Sequence, residues 1–299
     1  MTPDAETNTP KRRLPPWLKK RLPAGGQAAA VSKLLGELNL ATVCSSAHCP
    51  NLAECFSKRT ATFMILGDRC TRSCRFCAVP TGDVPPLRAE EPEAVAEAAA
   101  RLKLRHVVIT SVTRDDLPDG GAGHFAQTIQ AVRARLPKAI IEVLTPDFQG
   151  DTDAIETVLR AEPAVFNHNL ETAADLYDQV RPQADYQQSL NVLSCARSLA
   201  DSAGVSIHTK SGLMVGCGET HDQIVRTMGD LREANCDILT IGQYLAPSDK
   251  HLPVARFVEP AEFAALEQIG RDMGFAAIAA GPFVRSSYQA EELFESRKP

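Results

Sequence analysis

From Thr60 onward the chain alternates short, apolar, β-rich runs with helical runs, and this alternation limits its fold more than any other feature. Strands are expected at residues 60–67 (TATFMILG), 105–112 (RHVVITSV), 139–146 (AIIEVLTP), 164–171 (AVFNHNLE), 206–216 (SIHTKSGLMVG) and 236–245 (CDILTIGQYL). Helical stretches are expected at 91–103, 125–136, 187–200 and 221–234, and, after the last of these strands, at 260–274. Strands joined by crossover helices form a parallel sheet with the helices on its outer face. The expected fold is therefore α/β, a partial (β/α)6 barrel. Six units are fewer than the eight of a closed barrel, which leaves an open side wide enough for a large substrate.

In such an architecture the site lies at the C-terminal ends of the strands. Polar residues collect there. The loop after the second expected strand carries Thr110, Ser111, Arg114, Asp115 and Asp116 beside a glycine pair, and can present backbone N–H groups and short side chains to a polar ligand. The fourth expected strand ends in Asn167, His168, Asn169 and Glu171, more polar groups than a buried strand carries unless a ligand or each other satisfies them. His168 reads equally as a satisfied core side chain and is assigned no metal. Lys210 lies inside an otherwise apolar strand, with Ser211 and Glu219 following; the competing reading for Lys210 is an ion pair.

Cys70, Cys74 and Cys77 stand in the run CTRSCRFC, a C-x3-C-x2-C spacing. A four-iron cluster takes four ligands, so three thiolates leave one iron open to a small molecule. Zinc sites more often use paired C-x2-C elements or Cys/His pairs. A second triplet, Cys44, Cys49 and Cys55 in CSSAHCPNLAEC, has a C-x4-C-x5-C spacing too wide for one helical face and suited to a loop wrapped around a second cluster. Cys195, Cys217 and Cys236 are single residues in apolar runs and read as small buried hydrophobes.

The C-x3-C-x2-C element with Phe76 before its last cysteine resembles the signature of the radical S-adenosylmethionine superfamily. CSSAHCPNLAEC, TATFMILG and CTRSCRFC in that order, with RSSY at Arg285, Ser286, Ser287 and Tyr288, resemble the lipoyl synthase family more specifically, over about Trp17 to Tyr288. The resemblance implies a barrel of the radical S-adenosylmethionine type and two 4Fe–4S clusters. One is held by Cys70, Cys74 and Cys77 and chelated by S-adenosylmethionine. The other, auxiliary cluster is held by Cys44, Cys49, Cys55 and a serine of RSSY, taken as Ser287 with Ser286 the alternative. Phe76, Glu171 and Lys210 are the expected cofactor-binding residues, with Glu171 a candidate acceptor for the ribose hydroxyls. The implied reaction is radical insertion of two sulfurs, at C6 and C8 of an octanoyl-lysine, with the auxiliary cluster consumed to give lipoyl-lysine. No catalytic triad is expected, because acids and bases do not attack an unactivated C–H bond.

The resemblance also implies partners: octanoylated lipoyl carrier domains (2-oxoacid dehydrogenase E2 subunits and the glycine cleavage H protein), a low-potential electron donor, and iron–sulfur assembly or carrier proteins. Rival readings are another sulfur-inserting radical enzyme, such as a methylthiotransferase, and an iron–sulfur electron carrier. The first normally adds a basic RNA-binding module that is not evident here, and the second has no need of a six-unit β/α domain.

Composition fits this assignment. The chain has 299 residues, 44% of them apolar, enough for one sizeable core. Its net charge of −5 argues against nucleic acid as a partner, and no run of 18 apolar residues suggests a membrane span. Thiols committed to metal need a reducing compartment, and no secretory signal is evident, so a cytoplasmic location is expected. The expected divisions are residues 1–59 (N-terminal arm and auxiliary cysteine loop), 60–283 (radical core) and 284–299 (C-terminal tail with RSSY). The basic arm, with Lys11, Arg12, Arg13, Lys19, Lys20 and Arg21, is offered as a docking element for an acidic carrier, against the alternative of a solvated tail. The residues after RSSY read as a frayed or loosely helical end.

Overall fold

The structure, a computed structural model, describes residues 13–20 and 27–297. Its sheet has eight strands in sequence order: β1 Ala41–Thr42, β2 Thr62–Ile65, β3 His106–Ser111, β4 Ile140–Leu144, β5 Val165–Asn167, β6 His208–Val215, β7 Ile238–Gln243 and β8 Ala277–Gly281. β1 pairs antiparallel with β2, and every other neighbour is parallel. β8 does not pair back onto β1 or β2, so the sheet is an open, partial barrel.

The six expected strands are β2 to β7. β8 was not expected, because Ala277, Ala279, Ala280 and Gly281 lack the branched or aromatic side chains that mark a strand. It forms because tertiary pairing with β7 and packing under a helix replace local propensity.

The helices are α1 Gln27–Glu37, α2 Val43–Ser46, α3 Leu52–Ser57, α4 Glu91–Leu102, α5 Ala122–Arg135, α6 Thr152–Leu159, α7 Tyr177–Val180, α8 Tyr186–Ala203, α9 His221–Glu233, α10 Pro260–Asp272 and α11 Ala290–Glu295. Short polar side chains start several of them. Asp151 accepts from Asp153 N and Ala154 N to open α6, Asp185 accepts from Gln188 N to open α8, and Thr220 with Gln223 forms a reciprocal capping box on α9. One apolar cluster packs β2–β5 against α1, α4, α5, α6 and α8, and a second packs β6–β8 against α9 and α10.

The even-numbered side chains of β6 and β7 face the barrel interior. A Cβ on Gly212 would lie 2.7 Å from Ser286 Oγ, and one on Gly242 would lie 2.1 Å from Val284 O. These two glycines let the segment after β8 pass down the inner face of the sheet. Val284 and Arg285 lie against the end of β7, Ser286 against the middle of β6 and Ser287 against Thr62 at the start of β2. The chain then forms α11 across the N-terminal end of the barrel, where the Phe294 ring stacks edge-on to both His106 and His208, 5.7 Å away in each case. Leu293 is buried with Ile238 and Ala277. Of the frayed or loosely helical end that was expected, the helix is what forms: α11 closes the bottom of the barrel, a role set by partners far away in sequence.

At the other terminus, residues Pro16–Leu18 form a 3-10 turn with Leu18 buried, and Trp17 Nε1 donates to Val258 O at 3.1 Å. Lys11, Arg12 and Arg21 of the basic arm lie outside the described residues. Among the described residues no helix is long and apolar enough to cross a membrane.

Candidate functional site

The loop carrying Cys70, Cys74 and Cys77 follows β2. It is tied down by Cys70 N to Pro80 O (2.9 Å), Arg75 N to Val180 O (3.0 Å) and Leu252 N to Arg75 O (2.9 Å). Backbone N–H groups of Arg72 and Thr113 donate to Cys70 Sγ at 3.4 and 3.3 Å. Arg72 is the anchor of the loop. Its guanidinium forks onto Asp115 (2.7 and 2.8 Å) and onto Asp147 (2.7 and 2.8 Å). Burial would push the Asp147 carboxyl up, but Arg72 overcomes this and holds it at about 2. In the loop after β3, offered as a ligand-binding loop, Asp115 serves Arg72 and Arg114 is occupied by Asp116 and Leu66 O, while Ser111 Oγ is buried without a partner.

Burial raises the Cys74 and Cys77 thiols, Cys77 to about 12, with their neighbouring thiols adding to the shift. Arg181 opposes it at Cys74. The Arg181 Nη1 donates to Asn169 O (2.9 Å) and Tyr177 Oη (2.7 Å), while its buried Nε has no partner. Glu171 stands beside Arg181 in the left-handed region at φ 70°, an uncommon backbone state for a side-chain-bearing residue. Burial raises its carboxyl, against Arg181, a 3.0 Å hydrogen bond from Asn169 Nδ2, and Arg285. His168 is fully buried and, chiefly through that burial, held down at about 4, hence neutral at pH 7. Its Nδ1 donates to Thr145 O at 3.0 Å, which leaves the Nε2 lone pair unpartnered.

Orphaned buried polar atoms concentrate here. Ser111 Oγ, Asn167 Oδ1, His168 Nε2, Thr172 Oγ1 and Arg181 Nε all lie at or beyond the C-terminal ends of β3 and β5. A buried polar atom without a partner is costly, so this distribution fits a polar ligand seated at the barrel mouth. Phe76 packs on a satellite cluster of Val180, Cys217, Tyr244 and Leu252 beside that mouth. Lys210 lies opposite Asn167 at the end of β5 and opposite Ile238 at the start of β7, and donates to Glu142 Oε1 at 2.7 Å inside the barrel. Its ammonium is thus engaged in an ion pair, the competing reading given for this residue.

The second triplet forms another flank, beside Thr62 at the start of β2. Cys44 is buried in α2, whose N-cap Thr42 accepts from Ser45 N. His48 takes a left-handed turn (φ 49°), and Cys49 N returns to Cys44 O at 3.0 Å. Cys55 lies on α3, and its thiol is raised to about 12 by burial and then by Cys44 and Cys49, so the three sulfurs are mutual neighbours. Thr62 contacts the Cys44 thiol and donates from Oγ1 to Ser287 Oγ at 2.8 Å. Cys55 and Ser287 line one cavity of about 210 Å³. Ser286 turns the other way, donating to Asn169 Oδ1 at 2.9 Å. Arg285, between the two flanks, interacts electrostatically with Cys49 on one side and Glu171 on the other.

Among the described residues no three His, Cys, Asp or Glu side chains converge on one ion-sized point. A cube-shaped cluster attaches each thiolate to a different iron and does not require such convergence. Two sets of neighbouring thiols, N–H donors at Cys70 and the orphaned mouth groups fit clusters and a polar cofactor. Cys217 and Cys236 are buried and Cys195 is half-buried against the core, as expected for packing residues. Sequence reasoning missed Arg72 and Asp147, because partners 43 and 75 positions from the arginine leave no local signal, and it missed Arg181, which stands outside every expected strand and helix.

Two family models match the chain: the radical S-adenosylmethionine superfamily over residues 64–231, and the N-terminal domain of lipoyl synthase over residues 4–49. Lipoyl synthase of Oleidesulfovibrio alaskensis is 53% identical over 98% of each chain. That of Rubrobacter xylanophilus is 55% identical over 95% of this chain and 87% of its own. Among solved structures, methylornithine synthase superposes with a TM-score of 0.57 at 15% identity, covering 72% of this chain and 62% of that one. The hydrogenase maturase HydG superposes with a TM-score of 0.59 at 14% identity, covering 78% and 54%. At such identities these two show the fold alone.

Proposed function

We propose, from the premise that this chain belongs to the lipoyl synthase family of radical S-adenosylmethionine enzymes, that it inserts two sulfurs, at C6 and C8, into an octanoyl-lysine on a lipoyl carrier domain. Family membership makes the chain a sulfur-inserting enzyme that uses a 4Fe–4S cluster and S-adenosylmethionine. When bound, these supply the one-electron cleavage and hydrogen-abstracting radical that an unactivated C–H bond requires. The further proposal is that Cys70, Cys74 and Cys77 hold that cluster and that Cys44, Cys49, Cys55 and Ser287 hold a second one, which is the sulfur substrate.

The observation that carries the proposal is the gathering of two separate thiol triplets on one barrel, with Arg285 interacting with both Cys49 and Glu171. At the first flank, Arg72 fixes the cysteine loop to the loops after β3 and β4, and the N–H groups of Arg72 and Thr113 donate to Cys70 Sγ. Arg181, Glu171 and neutral His168 offer a cation, an acceptor and a lone pair to the amino-acid and ribose parts of the cofactor. At the second flank Ser287 presents a hydroxyl, a harder donor than thiolate and suited to release as sulfur departs. The open side of the barrel admits the octanoyl arm between the flanks. Octanoylated E2 subunits and the glycine cleavage H protein are the proposed carriers, with a low-potential donor and iron–sulfur assembly proteins as further partners.

The deciding experiment incubates anaerobically reconstituted protein with dithionite, S-adenosylmethionine and an octanoyl-lysine peptide. A peptide that gains two sulfurs, at about two 5′-deoxyadenosines per product, supports the proposal. Deoxyadenosine without sulfur insertion keeps the radical chemistry and overturns the assigned substrate.

A further inference from the structure

We infer that Lys20 is a positioning residue of the sulfur-donating site, locking the cysteine loop and the RSSY segment together so that Ser287 is held beside Cys44, Cys49 and Cys55. The inference rests on the proposal that those four residues hold the second cluster.

Lys20 was offered above as a docking charge on a basic arm. The structure turns it inward, with its side chain 27% exposed. Its Nζ donates to Asn51 Oδ1 at 2.7 Å and is ion-paired with Glu54. It also lies over the rings of Phe283 and Tyr288, at 4.9 and 5.1 Å from their centroids. Both polar partners pass the connection on. Asn51, 1% exposed, donates from Nδ2 to Phe283 O at 2.7 Å, and Glu54 Oε1 accepts from Tyr288 Oη at 3.0 Å. One ammonium therefore joins three segments that are remote in sequence: the N-terminal strap, the auxiliary cysteine loop and the chain after β8.

The positions of these partners give the arrangement its meaning. Glu54 directly precedes Cys55, and Tyr288 directly follows Ser287. A neutral hydroxyl is a poor ligand for iron beside three thiolates, so its occupancy depends on the chain holding it in place. Lys20 holds the neighbours of both a strong and a weak donor.

The test compares Lys20→Met, which keeps the apolar stem, with Lys20→Arg, which keeps the cation. Each is made in the native chain and in a chain with Cys70, Cys74 and Cys77 all changed to Ala, where only the second cluster can assemble. Anaerobic iron release to EDTA is followed by absorbance. Loss of one or two charge-assisted hydrogen bonds predicts release about tenfold faster in Lys20→Met and near the parent rate in Lys20→Arg. In the native background, S-adenosylmethionine cleavage should persist while sulfur inserted per deoxyadenosine falls. Equal release from Lys20→Met and its parent overturns the inference, as does parallel loss of both clusters, which marks general unfolding. A triple-alanine parent that takes up no iron would instead overturn the assignment of the second cluster itself, and the inference with it. Circular dichroism of the apo proteins, with Lys20→Gln as a second variant, identifies any failure to fold.

Discussion

Replacing Lys210 with Met probes the barrel interior most directly. The Lys210 ammonium and Glu142 carboxylate lie 2.7 Å apart, each side chain 1% exposed. Glu142 also accepts from Asn167 Nδ2 at 3.3 Å and lies 3.1 Å from His106 Nε2. Methionine conserves volume but removes the cation, leaving a buried carboxylate without its main partner. Breaking a buried pair from one side costs about 3–5 kcal/mol. The carboxyl itself gives a second figure. Burial would push it up, and Lys210 with His106 overcomes this and holds it at about 2 instead of 4.5. At about 1.4 kcal/mol per unit this difference corresponds to about 3 kcal/mol. With roughly 2–4 °C per kcal/mol for a domain of this size, the thermal midpoint should fall by on the order of 10 °C.

The pH dependence has a definite sign. In the parent the folded pKa is depressed, so this stabilisation is fully present above pH 4.5 and is lost as pH falls towards 2. In Lys210→Met, burial without the cation raises the folded pKa above the unfolded one. The variant's deficit should therefore narrow as pH falls from 7 towards 5. Urea unfolding of the apo protein by circular dichroism, across that pH range, measures both effects. Adding Glu142→Gln should recover about 2 kcal/mol, because it removes the uncompensated charge. A cost below about 1 kcal/mol for Lys210→Met, or an added loss in the double variant, would refute the reasoning. Intact stability with lost S-adenosylmethionine binding would return Lys210 to the cofactor-binding role read from the sequence.

Ser287→Ala should lower the iron bound by the Cys44, Cys49 and Cys55 flank and abolish sulfur insertion while cleavage of S-adenosylmethionine continues. Ser286→Ala removes only a hydrogen bond to Asn169, worth about 1 kcal/mol, and should retain both, as iron analysis and peptide mass will show. Arg72→Lys keeps the charge but cannot fork onto both Asp115 and Asp147, so iron on Cys70, Cys74 and Cys77 should become labile. Mössbauer quantification in a chain lacking the other triplet tests this, and full iron occupancy would count against it. Truncation after Gln289 removes α11, uncovering Ile238, Ala277 and the histidine rings at the barrel floor. Loss of Leu293 burial alone is worth about 1.5–3 kcal/mol, so the thermal midpoint should drop; an unchanged midpoint would show that the floor needs no cover.

Several contacts tie the ends of the chain to the reaction centre. Lys20 and Tyr288 meet at Glu54, Phe283 reaches Asn51, and Trp17 reaches Val258. The second flank is thus built from segments that are adjacent only in the folded barrel. The first flank draws its cysteines from one loop and its anchors from the adjoining β3 and β4 loops.

Sequence by itself determined the strands β2 to β7, the helices between most of them and the grouping of six cysteines into two triplets. Those features are local: periodicity and spacing are expressed within eight to fifteen residues, and a strand or a cysteine loop needs no distant partner to be recognised. β8, the α11 floor and the inward turn of Lys20 were not legible, since alanine-rich and charged segments acquire their roles only from what they pack against. RSSY marked two adjacent serines alike. The tertiary structure separates them, because Gly212 and Gly242 let the segment lie against the inner sheet, aiming Ser286 at Asn169 and Ser287 at Thr62. The same is true of Lys210. Its sequence shows a charge in an apolar strand, and only the register of β4, β5 and β6 brings Glu142 within 2.7 Å, where burial makes pairing the lowest-energy state of both charges.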